Sequence, residues 1–157
     1  MFGSGKKVWW QCSKGHEYKT SIAHRTKEGT GCWKCYNERR RNSALRYSNN
    51  LKGINNIITP NIPSDSQSHV FHQYTLRILD SKRDSLAEYL TKNSIPFGIY
   101  YPVPLHKQKA YYSPEVDNNF FPVTNKAVKE VISLPMHTEL TNDQIDYISE
   151  KLIKFLN

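Results

Sequence analysis

The chain's 157 residues have room for one ordinary domain, or for a small domain plus a module. Apolar residues make up 38%, aromatic residues 12%, and mean hydropathy is -0.69, the balance of a soluble globular protein. No apolar run approaches the ~20 residues of a membrane span. The net charge of +8 is concentrated at one end: residues 1–52 hold twelve Lys and Arg against three Asp and Glu, whereas residues 53–157 are nearly balanced. The missing apolar leader predicts a reducing, cytoplasmic setting.

All three cysteines lie in the first 35 residues, as Cys12-Ser-Lys-Gly-His16 and, 15 residues on, Cys32-Trp-Lys-Cys35. Two short chelating pairs joined by a returning loop are what a tetrahedral zinc needs, and thiolate and imidazole are its preferred ligands. A disulfide would leave one cysteine over. Cys12, His16, Cys32 and Cys35 are therefore the predicted zinc ligands. Gly15 and Gly31 sit where knuckle turns favour positive φ. Four protein ligands make a closed, structural site rather than a catalytic one. A module this small buries little, so the metal would supply folding free energy on the order of 10–16 kcal/mol, with Trp9, Trp10 and Tyr18 as its miniature core.

Helical spacing then runs from Asn37 to Lys52, with Gly53 as the stop. Residues 55–68 read as a connector. His69–Leu79 alternates as a strand with Val70, His72, Tyr74, Leu76 and Ile78 on one face. Ser81–Asn93 reads as a helix with Leu86, Tyr89 and Leu90 inward and Ser81 placed to box with Asp84. A second strand, Phe97–Tyr101, leads into a proline-punctuated loop from Pro102 to Tyr112. Thr124–Ser133 reads as a helix burying Ala127, Val128, Val131 and Ile132, and Leu134–Met136 as a short strand or turn. Thr141 caps a last helix whose inward residues are Ile145, Ile148, Leu152, Ile153 and Leu156. The predicted fold is α+β: a short mixed sheet with helices on one face, plus a small N-terminal zinc ribbon. The predicted divisions are 1–38, a helix and connector over 39–67, and 68–157.

Two resemblances sharpen this. Lys7-Val-Trp-Trp-Gln-Cys12, Gly15-His16-Glu-Tyr18, Arg25-Thr26 and Gly31-Cys-Trp-Lys-Cys35 resemble the short treble-clef zinc-ribbon repeats over residues 5–38. Arg39-Arg-Arg-Asn-Ser-Ala44, His69-Val-Phe-His-Gln-Tyr-Thr-Leu-Arg77, Gly98-Ile-Tyr-Tyr-Pro-Val-Pro-Leu-His106, Phe121-Pro122 and Leu134-Pro-Met-His137 resemble, in order, the C-terminal small-domain portion of DegT/DnrJ/StrS-type aminotransferases. That family uses pyridoxal phosphate to transaminate keto nucleotide sugars for surface polysaccharides and antibiotics. The resemblance implies that Tyr101, His106, His72 and Gln73 help close the sugar site. Where the family reads G-I-H-Y-P, Tyr100 replaces the histidine. The resemblance also places the Schiff-base lysine and the pyridine-binding aspartate in a large domain outside this segment. No catalytic or cofactor-binding residue is therefore assigned, and pyridoxal phosphate is expected only if another chain supplies that domain.

His69 and His137 read as packing residues, and Arg77 and Arg83 as surface or helix-capping charges. Two functions follow: a zinc-binding, enzyme-derived chain inactive alone or half of a split enzyme, or a zinc module that contacts nucleic acid or protein. Partners implied are a second copy, a complementary aminotransferase chain, or nucleic acid at the basic N-terminal part, and no membrane.

Overall fold

The computed structural model describes residues 4–65, 68–111, 113–115 and 120–157. Two sheets organise it. The first is a hairpin of β1 (Lys7–Gln11) and β2 (Glu17–Ser21), followed by a single helical turn, α1 (Ile22–Thr26). Trp10 pairs with Tyr18 across the hairpin, and Tyr18 is buried. The Trp10 indole donates to the Thr20 carbonyl at 3.3 Å. Trp9 departs from the expected miniature core: it is 69% exposed. Successive strand residues point to opposite faces, so Trp9 and Trp10 cannot share an interior.

From Cys32 the chain enters α2 (Trp33–Asn50), eighteen residues without interruption. The helix starts four positions before the predicted Asn37, because Cys32 already takes the extended cap conformation. Its far half buries Ala44 and Tyr47, with Leu51 just beyond. These meet the second sheet, an antiparallel β3-β4-β5 of Ile57–Ile58, Tyr74–Ile78 and Val131–Leu134. The core is completed by α3 (Arg83–Lys92) and α5 (Asn142–Leu156) through Leu86, Leu90, Ile145, Ile148 and Leu152. Tyr47 and Tyr74 stack there with centroids 5.0 Å apart. Their hydroxyls are satisfied by the Pro135 carbonyl and the Ser48 hydroxyl respectively, as buried polar groups must be.

The alternation of β4 is as the sequence indicates from Tyr74 onward: Tyr74, Leu76 and Ile78 are fully buried. The strand does not reach back to His69. Phe71 has φ 46°, its N–H bonded to His69 Nδ1 at 2.9 Å, and this turn leaves Val70 and His72 exposed. The predicted helix over Thr124–Ser133 is likewise divided. Pro122 opens α4 (Pro122–Glu130), and Val131 and Ile132 then belong to β5, with Leu76 facing Ile132. Branched residues fit a pleated surface, and a paired partner strand outweighs the helical stripe. The predicted strand Phe97–Tyr101 is reduced to one bridge, Gly98 to Ser133. The short β3 lies inside the predicted connector. Asp80 and Ser81 both have positive φ, so α3 begins at Arg83 without the expected box.

The two flagged arginines have definite work. Arg77 donates to Glu130 at 2.7 and 2.9 Å, so it is an ion-pairing rather than a free surface charge. Arg83 is buried and donates to the Val128 and Val131 carbonyls, capping the end of α4. Thr141 caps α5 as the sequence indicates, and its capping box with Gln144 is complete. Between α2 and α5, Arg46 Nε donates to Asp146 Oδ1 at 2.7 Å, and Asn50 adds a 2.8 Å bond to the same oxygen.

These donors, Arg46 first, hold the Asp146 carboxyl down at about 2, below its ordinary 3.8. A carboxyl depressed in the folded state stabilises above its unfolded value, and the contribution fades as pH falls toward the folded one. Urea titrations should therefore show Asp146→Asn losing less stability than the parent between about pH 4 and 2, while being the weaker protein at pH 7.

Candidate metal centre and the neighbouring clefts

The four sequence-predicted ligands converge. Ligand atoms of Cys12, His16, Cys32 and Cys35 all lie within 4.8 Å of one another. Cys12 Sγ is 3.7 Å from Cys35 Sγ, and His16 Nδ1 is 3.4 Å from Cys35 Sγ and 3.8 Å from Cys32 Sγ. A tetrahedral zinc, with bonds of about 2.3 Å to sulfur and about 2.1 Å to nitrogen, sets ligand separations of roughly 3.5–3.8 Å. None of the three sulfurs is in a disulfide.

Each ligand is placed by a local device. At the first knuckle, Gly15 donates to the Cys12 carbonyl at 2.9 Å and the Cys12 N–H returns to the His16 carbonyl at 3.0 Å. Gly15 adopts φ 78°, the left-handed conformation expected of it. Gly31 differs: it has no positive φ, and what it provides is room. The Tyr36 hydroxyl accepts from its N–H at 2.7 Å, and a β-carbon would lie only 2.5 Å from that oxygen. The second pair rides on α2, Cys32 at its cap and Cys35 in its first turn. Lys14, between the first two ligands, reaches Glu38 on α2 at 2.8 Å and ties the knuckles together.

The electrostatics suit a cation. Burial first, then the neighbouring thiols of Cys12 and Cys32, push the Cys35 thiol up to about 11. A coordinated dication would favour the Cys35 thiolate against that burial and crowding.

The residues predicted to close a sugar site do not all meet. His72 and Gln73 line one cleft of about 260 Å³, with Phe97, Gly98, Tyr100 and Ser133. Tyr101 is 72% exposed and outside that lining. His106 lies in a 3-10 turn (Leu105–Lys107), its ring 4.9 Å from Phe121, and is not in the cleft either. Tyr100 and Ser133 line the same cleft and were not among the residues predicted for it. Ser133 sits in β5, which the sequence disguised as helix, and Tyr100 carried the signal of replacing a histidine. Lys107 and Lys109 are exposed, and the cleft lining contains neither a lysine nor a carboxylate. Leu105 and Tyr111, each 61% exposed, and Tyr101 present apolar surface to solvent. Tyr112, expected beside them, lies outside the described residues. Among the described residues no helix is long and apolar enough to cross a membrane.

Comparison with known proteins agrees with both halves. Residues 33–153 match the DegT/DnrJ/EryC1/StrS aminotransferase family, and residues 1–38 match a family described as "Probable Treble clef zinc finger domain". The two matches overlap on the first turns of α2. A pleiotropic regulatory protein of Geobacillus stearothermophilus is 37% identical over 121 residues, covering 76% of this chain and 32% of its own length. The dTDP-3-amino-3,6-dideoxy-alpha-D-galactopyranose transaminase of Aneurinibacillus thermoaerophilus is 31% identical, covering 76% and 31%. The crystal structure of a family member from Brucella abortus superposes with TM-score 0.72 at 29% identity, covering 90% of this chain and 37% of that one. The chain spans about a third of the length of the curated relatives it matches.

Gly31→Ala should force Tyr36 off the knuckle. The expected result is at least a tenfold loss of zinc affinity, the size typical of lost support around a metal site, in a chelator competition. Gly15→Ala, strained at its positive φ, should also weaken binding, whereas Gly5→Ala, which meets nothing, should not.

Proposed function

This chain belongs to the DegT/DnrJ/EryC1/StrS aminotransferase family, and on that premise we propose that it works as a zinc-stabilised partner in sugar amination, inactive alone. The observation that carries the reading is the pairing of a four-ligand cluster at zinc distances with a segment that spans about a third of a sugar transaminase. Zinc here is structural: four protein groups fill a tetrahedron and leave no position for water or substrate. Cys12, His16, Cys32 and Cys35 would hold it, and the energy of that bond would be spent on folding the hairpin and starting α2.

The cleft of His72, Gln73, Tyr100 and Ser133 offers imidazole, amide and hydroxyl groups, the chemistry that recognises the hydroxyls of a nucleotide sugar. Pyridoxal phosphate does not fit these residues by themselves. Its chemistry needs an amine for the Schiff base and a carboxylate at the pyridine nitrogen, and the cleft lining supplies neither. Amination therefore requires a complementary chain bearing both groups. The exposed Tyr101, Leu105 and Tyr111 are the surface such a chain, or a second copy, would cover. One relative is named a spore coat polysaccharide biosynthesis protein and another an erythromycin biosynthesis sensory transduction protein, which supports a biosynthetic setting of that kind here.

Two measurements test the proposal. Purified under reducing conditions, the protein should carry one zinc per chain, and Cys35→Ser should carry almost none. In that variant, amide exchange should accelerate through the first turns of α2 while β4 and α5 keep their protection. Second, the chain mixed with pyridoxal phosphate and treated with borohydride should show no labelled lysine. A labelled lysine together with transaminase turnover by the chain alone would overturn the split-enzyme reading.

A further inference from the structure

A concavity larger than the cleft of His72 and Gln73 lies beside the metal cluster, with His16 and Lys14 in its lining. It is a groove of about 830 Å³ between the N-terminal half of α2 and the segments around Ile62 and Val70. One wall is a helical stripe: Trp33, Asn37, Arg41 and Leu45 all line it at four-residue spacing. The twelve residue-to-residue rises from Trp33 to Leu45 make that stripe about 18 Å long. Lys34 and Asn42 line the groove beside the stripe.

The chemistry of the wall is mixed in an informative way. Trp33 is 57% exposed, so an indole face is open on this wall, and Lys34 Nζ sits 5.8 Å from its centroid. Glu38 is the groove's carboxylate, and Lys14 pairs with it at 2.8 Å. Among the described residues neither Lys34 nor Arg41 makes an ion pair at contact distance; Glu38, whose carboxylate feels Arg41, is already paired with Lys14, so the lining carries more positive than negative charge. The field extends beyond the lining, since residues 1–52 carry a net charge of +9.

We propose that this groove binds single-stranded nucleic acid: bases stack on Trp33, phosphates pair with Lys34 and Arg41, and Asn37 and Asn42 bond base edges. A flat exposed indole, amides and unpaired cations along one extended track are the ingredients of a single-strand platform. An acidic peptide would satisfy the cations but brings no planar base to stack on the indole. A duplex is disfavoured by shape, because the groove's second wall stops α2 from lying in a major groove. A lone nucleotide would use only part of an 18 Å track and little of the surrounding field.

The test uses the full chain with its zinc in place and a fluorescein-labelled oligo-dT of about fifteen nucleotides, followed by anisotropy. Affinity should fall steeply with salt, and Lys34→Ala and Arg41→Ala should each reduce the log–log slope by about 0.7. Trp33→Ala should weaken binding roughly tenfold with the salt slope unchanged, and Trp33→Phe should restore part of the loss. Zinc content confirms that each variant is folded, and the two charge variants carry the test if the Trp33 variants are not. Equal binding by parent and variants would overturn the proposal, as would a duplex of the same length binding as tightly as the single strand. Trp33-dependent binding of polyglutamate or of UDP, with none of oligo-dT, would overturn it too and assign the groove to that ligand.

Discussion

One helix answers to two masters. The register of α2 is fixed at its start by Cys32 and Cys35, which face the metal cluster, and at its end by Ala44, Tyr47 and Leu51, which face the sheet. Isolated helices of this length are marginal in water, so α2 depends on being held at both ends. The sulfurs and the Lys14–Glu38 pair hold one end, and the Tyr47–Tyr74 stack and Arg46–Asp146 pair hold the other. The first knuckle is tied to the first turns through the sulfurs and Lys14, and α5 is tied to the last turns through Asp146.

That arrangement explains why the metal half and the aminotransferase-like half match different families whose boundaries overlap. A module that needs a helix after its second cysteine pair, and a domain that needs a helix before its first strand, can share the same one. The helix satisfies the spacing rules of both at no extra length. Its polar middle, where Arg39 reaches Glu139 and Arg40 and Arg41 follow, belongs to neither core.

Legibility in the sequence tracked how local the cause was. The four ligands were plain because chelation depends on spacing within each pair, and the capping box of α5 because it spans four residues. The small-domain motifs were recognisable by their order. What could not be read was decided by distant partners. Val131 and Ile132 fit a helical stripe until β4 is beside them, and Gly31 looks like a turn glycine until Tyr36 is folded over it. The turn at Phe71 shortened β4 and left His72 at a cleft edge instead of in the sheet. Trp9 shows the simplest failure, since two adjacent aromatic residues in a strand cannot both point inward.

A shared helix is also an angular gauge. Every residue added to or removed from the polar middle of α2 would swing the metal knuckles about 100° around the helix axis and shift them about 1.5 Å along it. Lineages could then change where the N-terminal module points without altering a single residue of either core. Only steps of three or four, or of seven, return it near its starting bearing. The distance between Cys35 and Ala44 is therefore a dial for orientation, set here at one position.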